Sequence, residues 1–118
     1  MRRAASARMV DAVVVATDDQ RIADAAVAAG AEAVITGECA SGTDRVAEAV
    51  LAREGWEIVV NVQGDEPMIA PENIDALVTG LRENTGCGLA TLCLPLEADR
   101  VDDPNAVKVV RSCDRRAL

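Results

Sequence analysis

Short β-branched runs alternate with stretches of helical periodicity along almost the whole chain, and this alternation limits the folds available to it. Residues 12–16 read as a buried strand, and residues 20–29 as a helix with Ile22, Ala23, Ala26 and Val27 on one face. Gly30 closes that helix at its C-cap, and residues 32–36 form a second strand. Thr43 or Asp44 caps a helix running to about Glu54, with Val46, Ala47, Val50 and Leu51 facing inward. Residues 57–62 make a third strand. Pro71-Glu72-Asn73 opens a helix whose apolar face is Ile74, Leu77, Val78 and Leu81. Residues 88–94 and 106–111 complete the pattern as a fourth and a fifth strand. Strand-helix-strand order of this kind predicts an α/β fold: a mostly parallel sheet flanked by helices, joined by right-handed crossovers, in one domain over 1–118.

Composition agrees with that reading. Half of the 118 residues are hydrophobic, yet Trp56 is the only aromatic. The core must therefore be built from Val, Ala, Leu and Ile, as in sheets covered by alanine-faced helices. No apolar run approaches the roughly 20 residues that span a bilayer. The basic start, Met1 to Arg8, lacks the apolar stretch of a signal peptide, and a cytoplasmic protein is the expectation. A net charge of −8 argues against nucleic acid or an anionic membrane as partner. It also means that binding a phosphate group would need a metal ion, backbone N–H groups or a few placed arginines. Cys39, Cys87, Cys93 and Cys113 form no Cys-x-x-Cys pair and, with no histidine in the chain, predict reduced thiols rather than a zinc site. The lack of histidine also removes Ser-His and Cys-His nucleophile arrangements from this chain.

In a parallel sheet, every strand-to-helix loop falls on one edge, the usual ligand edge of open α/β folds. Three such loops carry unusual chemistry. Ala16-Thr17-Asp18-Asp19 follows the first strand, and the segment from Thr36 to Arg45 follows the second. Gln63-Gly64-Asp65-Glu66-Pro67 follows the third, where Gly64 permits a tight turn and Pro67 stops the strand. A carboxylate presented there holds either a turn hydrogen bond or a hard cation. Simpler roles stand beside these. Thr17 and Asp18, or Thr43 and Asp44, can serve only as N-caps, and Arg45 can pair with Glu48 along its own helix. Asp65 can bind turn amides alone, and Asp102-Asp103 before Pro104 reads as a solvated turn.

Four segments together make the chain resemble the 3-deoxy-manno-octulosonate (KDO) cytidylyltransferases, or CMP-KDO synthetases. They are Val15-Ala16-Thr17-Asp18-Asp19, Ser41-Gly42-Thr43-Asp44-Arg45-Val46-Ala47-Glu48, Asn61-Val62-Gln63-Gly64-Asp65-Glu66-Pro67, and Asp103 to Val110. The resemblance implies a Rossmann-like fold of the nucleotide-diphospho-sugar transferase type. It implies transfer of CMP from CTP to the acid sugar KDO, with release of pyrophosphate, for lipopolysaccharide synthesis. By position, Asp65 resembles a Mg²⁺ ligand and Gln63 a residue near the α-phosphate or sugar. Thr17, Asp18, Ser41, Gly42, Thr43 and Arg45 resemble parts of the cytidine pocket. Family members begin with a further strand and a basic phosphate loop, continue past the position of Leu118, and form homodimers. The expectation is a partial enzyme lacking the first strand and the C-terminal part, with negligible turnover and marginal stability when made alone. A nucleotidyltransferase for another acid sugar, or a non-catalytic nucleotide-binding module, is the alternative.

Overall fold

The computed structural model describes residues 1–114, 116 and 117, and every site residue named from the sequence lies among them. A short helix α1 (Arg2–Ala5) leads to strand β1 (Val14–Thr17), helix α2 (Gln20–Ala28) and strand β2 (Glu32–Ile35). Helix α3 (Gly42–Leu51) and helix α4 (Pro71–Glu83) follow, then a 3₁₀ turn at Ala98–Arg100. β1 and β2 pair in parallel, with Val14 opposite Glu32 and Thr17 opposite Ile35. The ladder extends one bond further, from Thr36 N–H to the Thr17 carbonyl at 2.9 Å. α2 packs on both strands, α3 on β1, and α1 on α4. This is the parallel-sheet, helix-flanked arrangement of a Rossmann-like α/β fold.

Local chemistry explains the boundaries. Asp19 caps α2 by accepting the Arg21 N–H at 2.8 Å, and Gly30 takes φ +83° just beyond the helix end. α3 starts at Gly42, earlier than expected, because Ser41 rather than Thr43 or Asp44 is its cap: the Ser41 hydroxyl accepts the Asp44 N–H at 3.1 Å. It ends at Leu51, short of Glu54, and Gly55 turns the chain with φ +97°. α4 begins with Pro71 in its first turn, after an extended Ala70. Ile74 and Val78 are buried and Leu77 and Leu81 half-buried, as its periodicity requires. Beside them the buried Asp75 carboxylate accepts the Met9 N–H at 2.8 Å and so ties the segment after α1 to α4.

Three expectations are corrected. Residues 57–62, 88–94 and 106–110 join no ladder among the described residues, and Arg111 makes only an isolated antiparallel bridge with Ala117. The sheet has two strands, because a β-branched run becomes a strand only when another strand lies at hydrogen-bonding distance. The helix faces are also narrower than expected. On α2, Ala23 and Ala26 are buried while Ile22 and Val27 stay exposed; on α3, Ala49 is buried, Val46 and Val50 half-buried, and Ala47 and Leu51 exposed. A two-stranded sheet covers only a thin stripe of each helix. The radius of gyration of 15.9 Å exceeds the roughly 13–14 Å of a compact chain this long.

Candidate functional site

Arg45 joins two of the three loops. It stands in the first turns of α3 with its side chain only one-fifth exposed. Its Nη2 donates to Asp18 Oδ2 at 2.7 Å, reaching the loop after β1. Its Nη1 donates to Thr36 Oγ1 at 2.6 Å and to the Gly37 carbonyl at 3.4 Å, reaching the loop after β2. Thr36 is itself buried, so this end of the guanidinium is anchored in a dry position. A planar fork with several donors can bridge two loops at fixed geometry; a lysine could not. Arg45 therefore serves the loops, and the simpler alternative of an ion pair with Glu48 is not formed among the described residues.

Thr17 and Asp18 are not the helix cap. Asp19 has that role, and Thr17, buried at the end of β1, accepts the Asp19 N–H on its hydroxyl at 3.1 Å. Asp18 is left half-exposed on the rim, facing Arg45. Ser41, Gly42 and Thr43 open α3 next to the third loop. Asn61 Nδ2 donates to Thr43 Oγ1 at 3.3 Å, and Gln63 Nε2 donates to Asn61 Oδ1 at 2.8 Å. Gln63 also lies flat against Gly42: a Cβ added there would stand 2.5 Å from Gln63 Oε1. This close approach requires glycine at position 42 unless the glutamine moves.

Asp65 follows Gln63 by two residues, in a turn closed by the Glu66 N–H and the Gln63 carbonyl at 3.1 Å. It is exposed, and among the described residues its carboxylate accepts no turn amide. No three His, Cys, Asp or Glu side chains come together as a metal cage among the described residues. Asp65 offers an exposed carboxylate beside that of Glu66. That suits a magnesium ion held mostly by water and substrate phosphates, which needs only one or two protein carboxylates. It does not suit a metal held by protein alone. The Asp102-Asp103 pair makes local turn contacts. Asp103 accepts the Asn105 N–H at 2.9 Å and faces Arg100 at 3.3 Å, which together hold its carboxyl below the usual range, as befits a turn.

Four rim residues were not named from the sequence as site residues: Thr36, Gly37, Glu48 and Asn61. Glu48 Oε1 accepts the Gly37 N–H at 2.8 Å and Oε2 accepts the Cys39 thiol at 3.3 Å. The Gly37 amide and then the thiol hold the Glu48 carboxyl below its ordinary range; desolvation and the facing carboxylate push the Cys39 thiol up. Glu48 and Asn61 stand inside the segments that carry the family resemblance, and that was the only signal available for them.

A family model for cytidylyltransferases matches residues 1–118. The chain belongs to the cytidylyltransferase family. It is 54% identical over 111 residues to the 3-deoxy-manno-octulosonate cytidylyltransferase of Anaeromyxobacter sp. (strain Fw109-5), covering 92% of this chain and 44% of that relative. The enzyme of the same name from Myxococcus xanthus (strain DK1622) is 46% identical over 118 residues, covering 99% of this chain and 48% of the relative. A solved structure of CMP:2-keto-3-deoxy-manno-octonic acid synthetase complexed with CTP superposes with a TM-score of 0.93 at 40% identity, over 99% of this chain and 48% of that chain. This cytidylyltransferase chain spans about half the length of the curated relatives it matches. Among its described residues no helix is long and apolar enough to cross a membrane.

Proposed function

We propose that the rim formed by the three loops binds CTP with magnesium, and that the protein to which this chain belongs transfers CMP to KDO. The observation that carries this reading is Arg45. One guanidinium ties Asp18, Thr36 and Gly37 together at the edge where Asn61 and Gln63 close on Gly42 and Thr43. Likeness to a CTP-bound synthetase supports the same reading.

In this reading Thr17, Asp18, Ser41, Gly42, Thr43 and Arg45 shape the cytidine pocket, with hydroxyls and fixed charges placed before the nucleotide arrives. Gln63 reaches the α-phosphate or the sugar. Asp65 is one ligand of magnesium, which neutralises charge on the triphosphate that a protein of net charge −8 cannot neutralise itself. The anomeric hydroxyl of the sugar attacks the α-phosphorus and loses its proton to solvent. The bond from that phosphorus to the bridging oxygen breaks, and pyrophosphate leaves. The acidic surface supports a small-molecule role without nucleic acid or membrane insertion. A cytoplasmic homodimer serving lipopolysaccharide synthesis is the setting consistent with the family likeness.

The test is pyrophosphate release by the full-length gene product across a panel of nucleotides and acid sugars. Rapid turnover is expected for CTP with KDO and magnesium. Faster turnover of a different acid sugar would reassign the acceptor. CTP binding without turnover of any sugar would favour the non-catalytic module.

A further inference from the structure

Two residues of α3, three positions apart and hence on one helix face, hold the two backbone polar groups of a single residue, Gly37, which belong to successive peptide groups. Arg45 Nη1 donates to the Gly37 carbonyl at 3.4 Å, and Glu48 Oε1 accepts the Gly37 N–H at 2.8 Å. The other oxygen of Glu48 accepts the Cys39 thiol at 3.3 Å, so one carboxylate holds the turn at both ends. An N–H donating to a carboxylate is stronger than one donating to a neutral acceptor. The Gly37 position leaves ordinary space beside Glu48: an added Cβ would lie 3.8 Å from either carboxylate oxygen. The hold is therefore on the backbone, not a steric wedge.

We infer that Glu48 is a positioning residue of the nucleotide site: it clamps the 37–39 turn to α3, so that Thr36 and the Gly37 carbonyl stay where Arg45 requires them. Glu48 acts through Gly37 and Arg45 and touches no reacting group. This inference rests on the CTP-binding reading above. Loss of the clamp weakens nucleotide binding and leaves the chemical step intact, so the signature is a change in KM without an equal change in kcat.

The experiment compares wild type, Glu48→Gln and Glu48→Ala in the full-length protein, with CTP as the varied substrate. Glu48→Ala is expected to raise KM for CTP about 10-fold with kcat within about 2-fold, the scale of one or two lost hydrogen bonds. Glu48→Gln retains a neutral acceptor for the Gly37 N–H and is expected to raise KM only about 2- to 3-fold. In parallel, the alkylation rate of Cys39, read by peptide mass, is expected to rise about 5-fold or more in Glu48→Ala as the thiol is released. An unchanged Cys39 rate overturns the clamp. A faster Cys39 rate with unchanged KM overturns the positioning role, as does a fall in kcat with KM unchanged. If Glu48→Ala does not fold, Glu48→Gln carries the same tests at its smaller magnitude. A wild-type protein that turns over no CTP with any acid sugar overturns the proposed function itself. Wild-type turnover with an insensitive KM overturns only the inference about Glu48.

Discussion

Two apolar runs of nearly the same character meet different fates. Val14-Val15-Ala16-Thr17 lies beside Glu32–Ile35 and becomes a strand with a full parallel ladder. Residues 57–62 carry four β-branched residues, Ile58, Val59, Val60 and Val62, yet they join no ladder among the described residues. Their side chains still alternate, with Ile58 and Val60 half-buried and Val59 exposed. The run keeps the alternating burial of a strand and joins no ladder among the described residues. Strand formation is a property of pairs, and propensity alone cannot supply the second member. The rim of the site lies between them, since Gly42 and Thr43 open α3, which packs on β1, and Asn61 and Gln63 stand at the end of the second run.

Truncation of a buried and of an exposed β-branched residue gives the largest contrast. Ile74 on α4 is 1% exposed and Val59 is 46% exposed. Ile74→Ala should cost about 2–4 kcal/mol through lost burial and the cavity it leaves. Val59→Ala in the same 118-residue chain should cost less than about 0.5 kcal/mol. Urea midpoints followed by circular dichroism would report both, and equal shifts would break the contrast.

Removal of the guanidinium that joins the loops comes next. Arg45→Ala should raise KM for CTP in the full-length protein by about 30-fold, and Arg45→Lys should recover little, because an ammonium cannot bridge Asp18 and Thr36 together. An Arg45→Ala variant with wild-type KM would separate the rim from nucleotide binding.

The smallest effect is one of pH. The Gly37 N–H and the Cys39 thiol lower the Glu48 carboxyl below its ordinary 4.5. A carboxylate whose folded pKa is depressed stabilises the fold fully above the unfolded value and loses that contribution as pH falls through the lower, folded one. The clamp should thus be intact at neutral pH and release only in acid below pH 4.5. An NMR titration of the Glu48 carboxyl and the Gly37 amide should show one shared midpoint below that value; a midpoint at or above it would remove the clamp's electrostatic basis.

Much of this was legible in the residues. The first two strands, all the longer helices and the apolar face of α4 follow from periodicity, and the loop residues of the candidate site follow from where strands end. Periodicity says which residues share a face and not how much of that face a neighbour covers. For that reason Ile22, Val27 and Leu51 were expected inside and are exposed. Cap chemistry was ambiguous between adjacent hydroxyls and carboxylates, and only backbone geometry selects Ser41 and Asp19. The partners of Arg45 were hidden for a different reason. Asp18 stands 27 positions away, and nothing local to Arg45 distinguishes it from Glu48. Side chains that meet across loops leave no periodic trace.

The central claim is that Asp65 and the hydroxyl-bearing loops grip one magnesium nucleotide together. Calorimetry of CTP binding to the full-length protein, with and without magnesium, tests it when wild type is compared with Asp65→Asn. Wild type is expected to bind tightly only when magnesium is present, and Asp65→Asn to fold but gain little from the metal. Equal magnesium dependence in both proteins would contradict it.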